Sequence, residues 1–298
     1  MELPSLDLDK VYENKSSRLK REDVKILQDW LVSKHSTTTD VEEIELISNL
    51  VECDYDIEAT KKRISGALAY RSRAKIFQDI DFKSNSLQAA METILVSTLK
   101  LIDESKTAIF IRVLANDPKL VNASNICKVI LAYSSLFFRV LQPPVDHVLI
   151  FDLELVTLAH IPSLDMRTLR ELSIFYNYFY LGTLEKIHII NAGPWINRLI
   201  ALFTATIGRE FSEKICVHTE ANNLHEFIAM DHLPKEMGGN FLSFHQLHGA
   251  MKDLLLKHSD EFLHKYKKPS NEFLHIDSSN WDCELFGVDG TFRQLEVD

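Results

Sequence analysis

Asp152 closes the run VLIFDL (148–153), and the carboxyl end of a buried strand is a common place for an acid or base. Such a group needs a nucleophile or a second titrating group beside it, and the sequence offers none. His160 follows in FDLELVTLAH and reads as a hydrogen-bonding residue of the framework rather than as a base. His245 and His248 stand at i, i+3 and share a helix face. Without a carboxylate motif near them they read as a solvated face rather than a metal pair. His218, His225 and His232 recur every seven residues, but the period crosses a strand, a helix and a turn, so it specifies no common site. Cys53, Cys127, Cys216 and Cys283 are far apart, form no CxxC pair and imply reduced thiols in a cytosolic setting. There is no GxGxxG, no GxxxxGK[ST] and no GxSxG. The expectation is therefore a binding protein rather than an enzyme, with no catalytic residue, no metal and no cofactor.

What the sequence does offer is surplus apolar surface. Between the β-branched runs IHIIN (187–191) and KICVHT (214–219) lies a segment with Trp195, Ile196, Leu199, Ile200, Phe203 and Ile207 at helical spacing. Asn197, Arg198 and Thr204 fall on its other side. It is too short and too polar to span a membrane, so the stripe must face either the protein or a lipid surface.

The elements that position this stripe follow from periodicity. Helices are predicted over 20–33, 41–51 and 57–74, with cap candidates in STTTD (36–40) and at Asp56. A helix is predicted over 87–98, a first strand over 108–114, and a long helix over 124–141 that stops before Pro143 and Pro144. The strand 148–153 leads to a short polar helix near 154–160. A further helix, capped by Ser163 or Asp165, runs to about Leu181 and stops at Gly182. After the strand at 186–191, a helix over 194–207 and the strand at 214–219 come a helix over 222–230, a turn at 233–239 and a last helix over 244–263. Strands alternating with helices predict a mainly parallel sheet. The fold class is α/β: an N-terminal helical bundle, then a mainly parallel sheet with flanking helices, of which 194–207 is lid-like; the resemblance given below implies that this is a mobile gate helix over a hydrophobic pocket. The expected units are an N-terminal helical domain at 17–80, a ligand-binding domain at 87–250, and a C-terminal helix and tail at 251–298.

With 43 acidic against 33 basic residues the net charge is −10, which excludes nucleic acid as the main partner. The N-terminus MELPSLDLDKVYENK lacks the apolar core of a secretory leader.

Three marks carry a resemblance to the CRAL-TRIO family, lipid-transfer proteins that include cellular retinaldehyde-binding and α-tocopherol transfer proteins. FDL (151–153) followed by His160 resembles the family's FDLxG…H strand. IHIIN–P–W running to EKICVHT resembles its strand, gate helix and strand, and LPKEMGG (233–239) resembles its LPxEyGG turn. The resemblance implies a cytoplasmic carrier, peripheral to membranes, that holds a small hydrophobic ligand (a retinoid, tocopherol, carotenoid or similar isoprenoid) under the gate helix. The alternative it leaves open is phosphatidylinositol or phospholipid exchange. It places Trp195, Ile196, Leu199, Ile200, Phe203 and Ile207 against the ligand. Phe151, Leu164, Leu172, Phe175, Tyr176, Phe179, Ile187 and Ile189 form floor and walls, with Tyr133 and Phe137 as further candidates. Burying about 400 Å² of ligand at roughly 25 cal/mol/Å² supplies ~10 kcal/mol before ordering costs, enough to compete with a membrane. Of the basic positions through which tocopherol-transfer relatives meet phosphoinositides, Arg209 and Lys214 remain. Leu50-Val51-Glu52-Cys53, Thr183 and Glu210 carry no base.

Overall fold

The computed structural model describes residues 7–14, 18–34, 41–101, 106–138, 146–176, 182–207, 212–218, 224 and 228–266. Four helices come first: α1 (Leu8–Asn14), α2 (Arg21–Lys34), α3 (Glu43–Glu52) and α4 (Ile57–Arg73). Leu27, Leu31, Ile44, Ile47, Leu50 and Ile64 close a core among them. Asp56 caps α4, its carboxylate accepting Ala59 N at 2.8 Å. The helix over 41–51 begins after Glu42, which makes no side-chain cap. The expected cap residues 36–40 lie outside the described residues.

A helix, α5 (Asn85–Thr93), leads into β1 (Ile94–Lys100) and β2 (Lys106–Val113). The remaining elements are α6 (Ala123–Phe138), β3 (Asp146–Asp152), α7 (Met166–Ile174), β4 (Leu184–Ile190), α8 (Ile196–Ile207), β5 (Ile215–Val217), α9 (Phe244–Lys257) and α10 (Ser259–Lys265). The strands form one sheet in the order β1-β2-β3-β4-β5. β1 pairs antiparallel with β2 and every other pair is parallel. The expected α/β architecture is thus present.

Four expectations are corrected. The helix predicted over 87–98 ends at Thr93, and ILVSTLK is a strand. Both of its faces are buried: Ile94 and Val96 join the core on one side of the sheet, Leu95 and Leu99 the core on the other. A strand buried on both faces loses the polar alternation that would mark it. The helix predicted over 244–263 is two helices, broken at His258. The polar helix near 154–160 is a 3-10 turn at Leu158–Ser163. Most of 222–230 lies outside the described residues, and its end is a 3-10 turn, Met230–His232.

The helical N-terminal part is tied to the sheet layer by polar contacts. Tyr70 Oη donates to the Glu171 carbonyl at 2.6 Å, and Ile76 N donates to the Glu171 carboxylate at 3.1 Å. Lys265 at the end of α10 pairs with Glu45 of α3 at 2.5 Å. Burial works against its ammonium, and Glu45, Tyr266 and Glu42 together hold its pKa above the ordinary value. No described helix is long and apolar enough to cross a membrane.

The LPKEMGG turn has a steric reason. Gly238 sits at φ +84, and a Cβ on Gly239 would overlap the Leu233 carbonyl. The Glu236 carboxylate accepts Phe244 N at 2.9 Å and so anchors the start of α9. Gly239→Ala should therefore lower stability by ~2 kcal/mol or more in urea unfolding. Gly249→Ala, in open space on α9, should raise it by up to ~1 kcal/mol. Equal effects of the two would remove the steric account.

Candidate functional site

One face of the sheet forms the floor of an internal hollow. Side chains two apart on a strand share a face, and register carries that face across strands. Ile94 pairs with Val113, Ile111 with Phe151, Leu149 with Ile187, Phe151 with Ile189, and Ile187 with Ile215. These residues line a cavity of about 220 Å³.

Three helices wall it, each through residues at helical spacing. α6 contributes Ala123, Ile126, Cys127 and Ile130; α7 and its extension contribute Leu169, Leu172, Ser173 and Tyr176; α8 and the residue before it contribute Trp195, Ile196 and Leu199. The loops beyond β2 and β3 close one end with Val121, Leu153, Val156, His160, Ile161 and Leu164.

The lining residues include no acid, lysine or arginine, and the polar groups among them are engaged with the protein. Tyr176 Oη lies 2.9 Å from Ser134 Oγ, and Ser173 Oγ donates to the Arg170 carbonyl. Thr157 N donates to His160 Nδ1 at 3.1 Å, so Nε2 carries the proton and points at the Ala115 carbonyl, 3.3 Å away. Burial pushes the Cys127 thiol up to about 12, and it stays neutral. A hollow of this kind is larger than the ~150 Å³ apolar cavity that stays dry and admits benzene. It favours a hydrocarbon surface and offers no counter-charge to an ionised one.

Of the residues expected at the site, Phe151, Leu164, Leu172, Tyr176, Ile187, Ile189, Trp195, Ile196 and Leu199 are brought together here. Tyr133 is not: it is buried one turn further along α6, with its hydroxyl turned to Ser97 and Thr98 of β1. Phe175 packs edge-on against Phe77, ring centroids 5.3 Å apart. Phe137 and Ile200 are half-buried and outside the lining. Phe179 and Arg209 lie outside the described residues, as do the side chains of Phe203 and Ile207. Lys214 is half-buried, and its Nζ donates to the Leu184 carbonyl at 2.7 Å.

Sequence reasoning missed Ile94, Ile111, Val113, Leu149 and Ile215, which strand alternation alone could have added to Ile187 and Ile189. It also missed Cys127, Ile130 and Leu169, which needed the facing of each helix.

The other candidate chemistry resolves into structure. Asp152 forms an ion pair with Arg112 of β2, accepts Asn191 Nδ2 at 2.9 Å and accepts Glu154 N at 3.1 Å. Asn191 holds φ +55, a conformation asparagine tolerates. The D of FDL and the N of IHIIN thus clamp β2, β3 and β4 together at their carboxyl ends. His248 Nε2 lies 2.7 Å from the Met91 carbonyl. His218 Nε2 meets His188 Nδ1 at 2.8 Å, and burial, then His218 and Lys186, lower the His188 pKa. No cluster of three metal-binding side chains occurs among the described residues.

Gly193 lies under the Trp195 indole, where a Cβ would overlap the ring. Gly193→Ala should shift Trp195 and change the tryptophan emission of the protein, with no change when made in a Trp195→Phe background. An unchanged emission in the native background would show that the ring is not held there.

Residues 94–239 match the family model described as the CRAL/TRIO domain. No curated protein matches the chain.

Proposed function

We infer from the match of residues 94–239 that the chain belongs to the CRAL/TRIO family, whose domain binds lipophilic ligands, and from that premise we propose that it carries one small neutral apolar molecule, a retinoid, tocopherol, carotenoid or similar isoprenoid, between membranes. The observation that carries this reading is the uncharged hollow of about 220 Å³ beneath α8. Its size falls below the ~300–1,000 Å³ usual for ligand pockets, so it fits a compact hydrocarbon skeleton better than two acyl chains. A phospholipid would also bring a phosphate, and the lining offers it no charged partner. The carrier works in the cytoplasm, touches membranes transiently and releases its ligand unchanged. α8 is its gate: Trp195, Ile196 and Leu199 face the hollow, while Asn197, Arg198 and Ala201 face water. Opening exchanges protein for lipid on the apolar side alone.

Native mass spectrometry of the full chain, followed by solvent extraction, tests the assignment. The expected result is a bound neutral lipid that is displaced by added isoprenoid. A chain that carries nothing and takes up no lipid would end it, and a bound phosphatidylinositol would replace it with the exchange reading. Leu199→Trp, which fills the hollow, should reduce uptake at least about tenfold. Overpacking should cost it no more than ~3 kcal/mol of stability. Full uptake by that variant would place the ligand elsewhere.

A further inference from the structure

A second depression lies on the sheet face away from the hollow. Arg112 of β2 shares that face with Phe110, whose ring stacks on Phe244 of α9 with centroids 5.8 Å apart. Around them, at the carboxyl ends of β2, β3 and β4, opens a groove of about 790 Å³. Leu233, Met237 and Phe244 give it an apolar floor, and exposed Glu154, Met230 and Glu236 form its rim. Met230 begins the 3-10 turn Met230–His232 and is 45% exposed. A methionine side chain is unbranched and polarisable, so it moulds itself to apolar groups of varied shape.

The charge of the groove is one-sided. Its described lining holds three acids, Asp152, Glu154 and Glu236, against one base, Arg112, with Lys235 outside the lining. Arg112 is spent within the protein. Its guanidinium pairs with Asp152 and Glu154 and lies over the Phe244 ring, 4.6 Å from the centroid. The Glu236 carboxylate accepts Phe244 N and stays exposed. Such a rim repels an anionic bilayer, a phosphate or a nucleic acid. Because Glu154, Met230, Glu236 and Gly238 all reach water, the groove does not enclose a small molecule as a ligand pocket does.

We propose that this groove docks a basic segment of another protein, which lays an apolar side chain against Met230 and Met237 and flanking lysine or arginine groups on Glu154 and Glu236. The apolar floor supplies affinity, and the acids select and orient a partner of opposite charge. The groove and the hollow lie on opposite faces of the sheet, so docking does not depend on the carrier reading.

The test is fluorescence polarisation of the full chain with a labelled peptide of lysines around a central leucine. The native chain should bind it at least about tenfold more tightly than the same peptide with serine for leucine, and should not bind the glutamate counterpart. Met230→Ser should weaken binding at least about fivefold. Glu154→Gln, which keeps an oxygen for Arg112, should weaken it about threefold, and less as salt rises. Glu22→Gln and Val32→Ser, changes of the same kind at exposed residues of α2, should bind like the native chain. Urea midpoints equal to the native value show that the variants fold. Docking is overturned if the leucine and serine peptides bind alike, since that leaves only attraction to an acidic protein. It is overturned equally if both groove variants bind like the native chain, or if the α2 variants are as damaging. Full displacement of the peptide by an equal concentration of arginine amide would replace it with a small-cation site. Self-association on a sizing column that is lost only in Met230→Ser would replace it with an interface between copies.

Discussion

An apolar hollow that the chain's own side chains do not fill is a standing cost to the fold. At about 24 cal/mol per Å³, a cavity of 220 Å³ withholds ~5 kcal/mol of the stability that packing would supply. That is as large as the net stability of many domains. The walls persist because they are held from outside the hollow. Arg112, Asp152 and Asn191 clamp three strands at their carboxyl ends, and His160 ties the loop after β3 to the end of β2. Glu171 receives Ile76 N and the Tyr70 hydroxyl from the other side of α7. A ligand that fills the hollow recovers the missing contacts, so the same defect that weakens the apo fold supplies affinity.

The clamp also accounts for the polar residues at the strand ends. Asp152 is fully enclosed, and its oxygens are taken by a guanidinium, an amide side chain and a backbone N–H. A carboxylate so satisfied has no free face for a reacting group. His160 is fixed as one tautomer by its two backbone partners, Thr157 N and the Ala115 carbonyl. Both residues fall inside motifs that invite a catalytic reading, and both serve the geometry of the hollow. On the outside of α8, Asn197, Arg198 and Ala201 are exposed.

Much of the site was legible in the linear pattern. The stripe Trp195, Ile196 and Leu199 is a period-3.6 signal, and Ile187 with Ile189 a period-2 signal, and both reach the cavity. Tyr133 and Phe175 were misplaced for one reason. An aromatic on a buried helix is apolar whichever way it faces, and periodicity does not say whether its neighbour is a void or another ring. Phe175 found Phe77, 76 to 77 being a segment remote in sequence. Periodicity says equally little of Lys214, whose bond to the Leu184 carbonyl depends on a strand remote in sequence.

From the residue order alone came the class of fold, the alternation of strand and helix, the covering helix, and the turn that demands two glycines. These are local, since each depends on propensity, period or φ within a few residues. The strand at Ile94–Lys100 escaped because a segment buried on both sides carries no period. That the helices stop short of closing on the sheet, leaving a space with no charge on its walls, was decided only by assembly. Volume is a sum over side chains from five strands and three helices, and no stretch of sequence contains that sum.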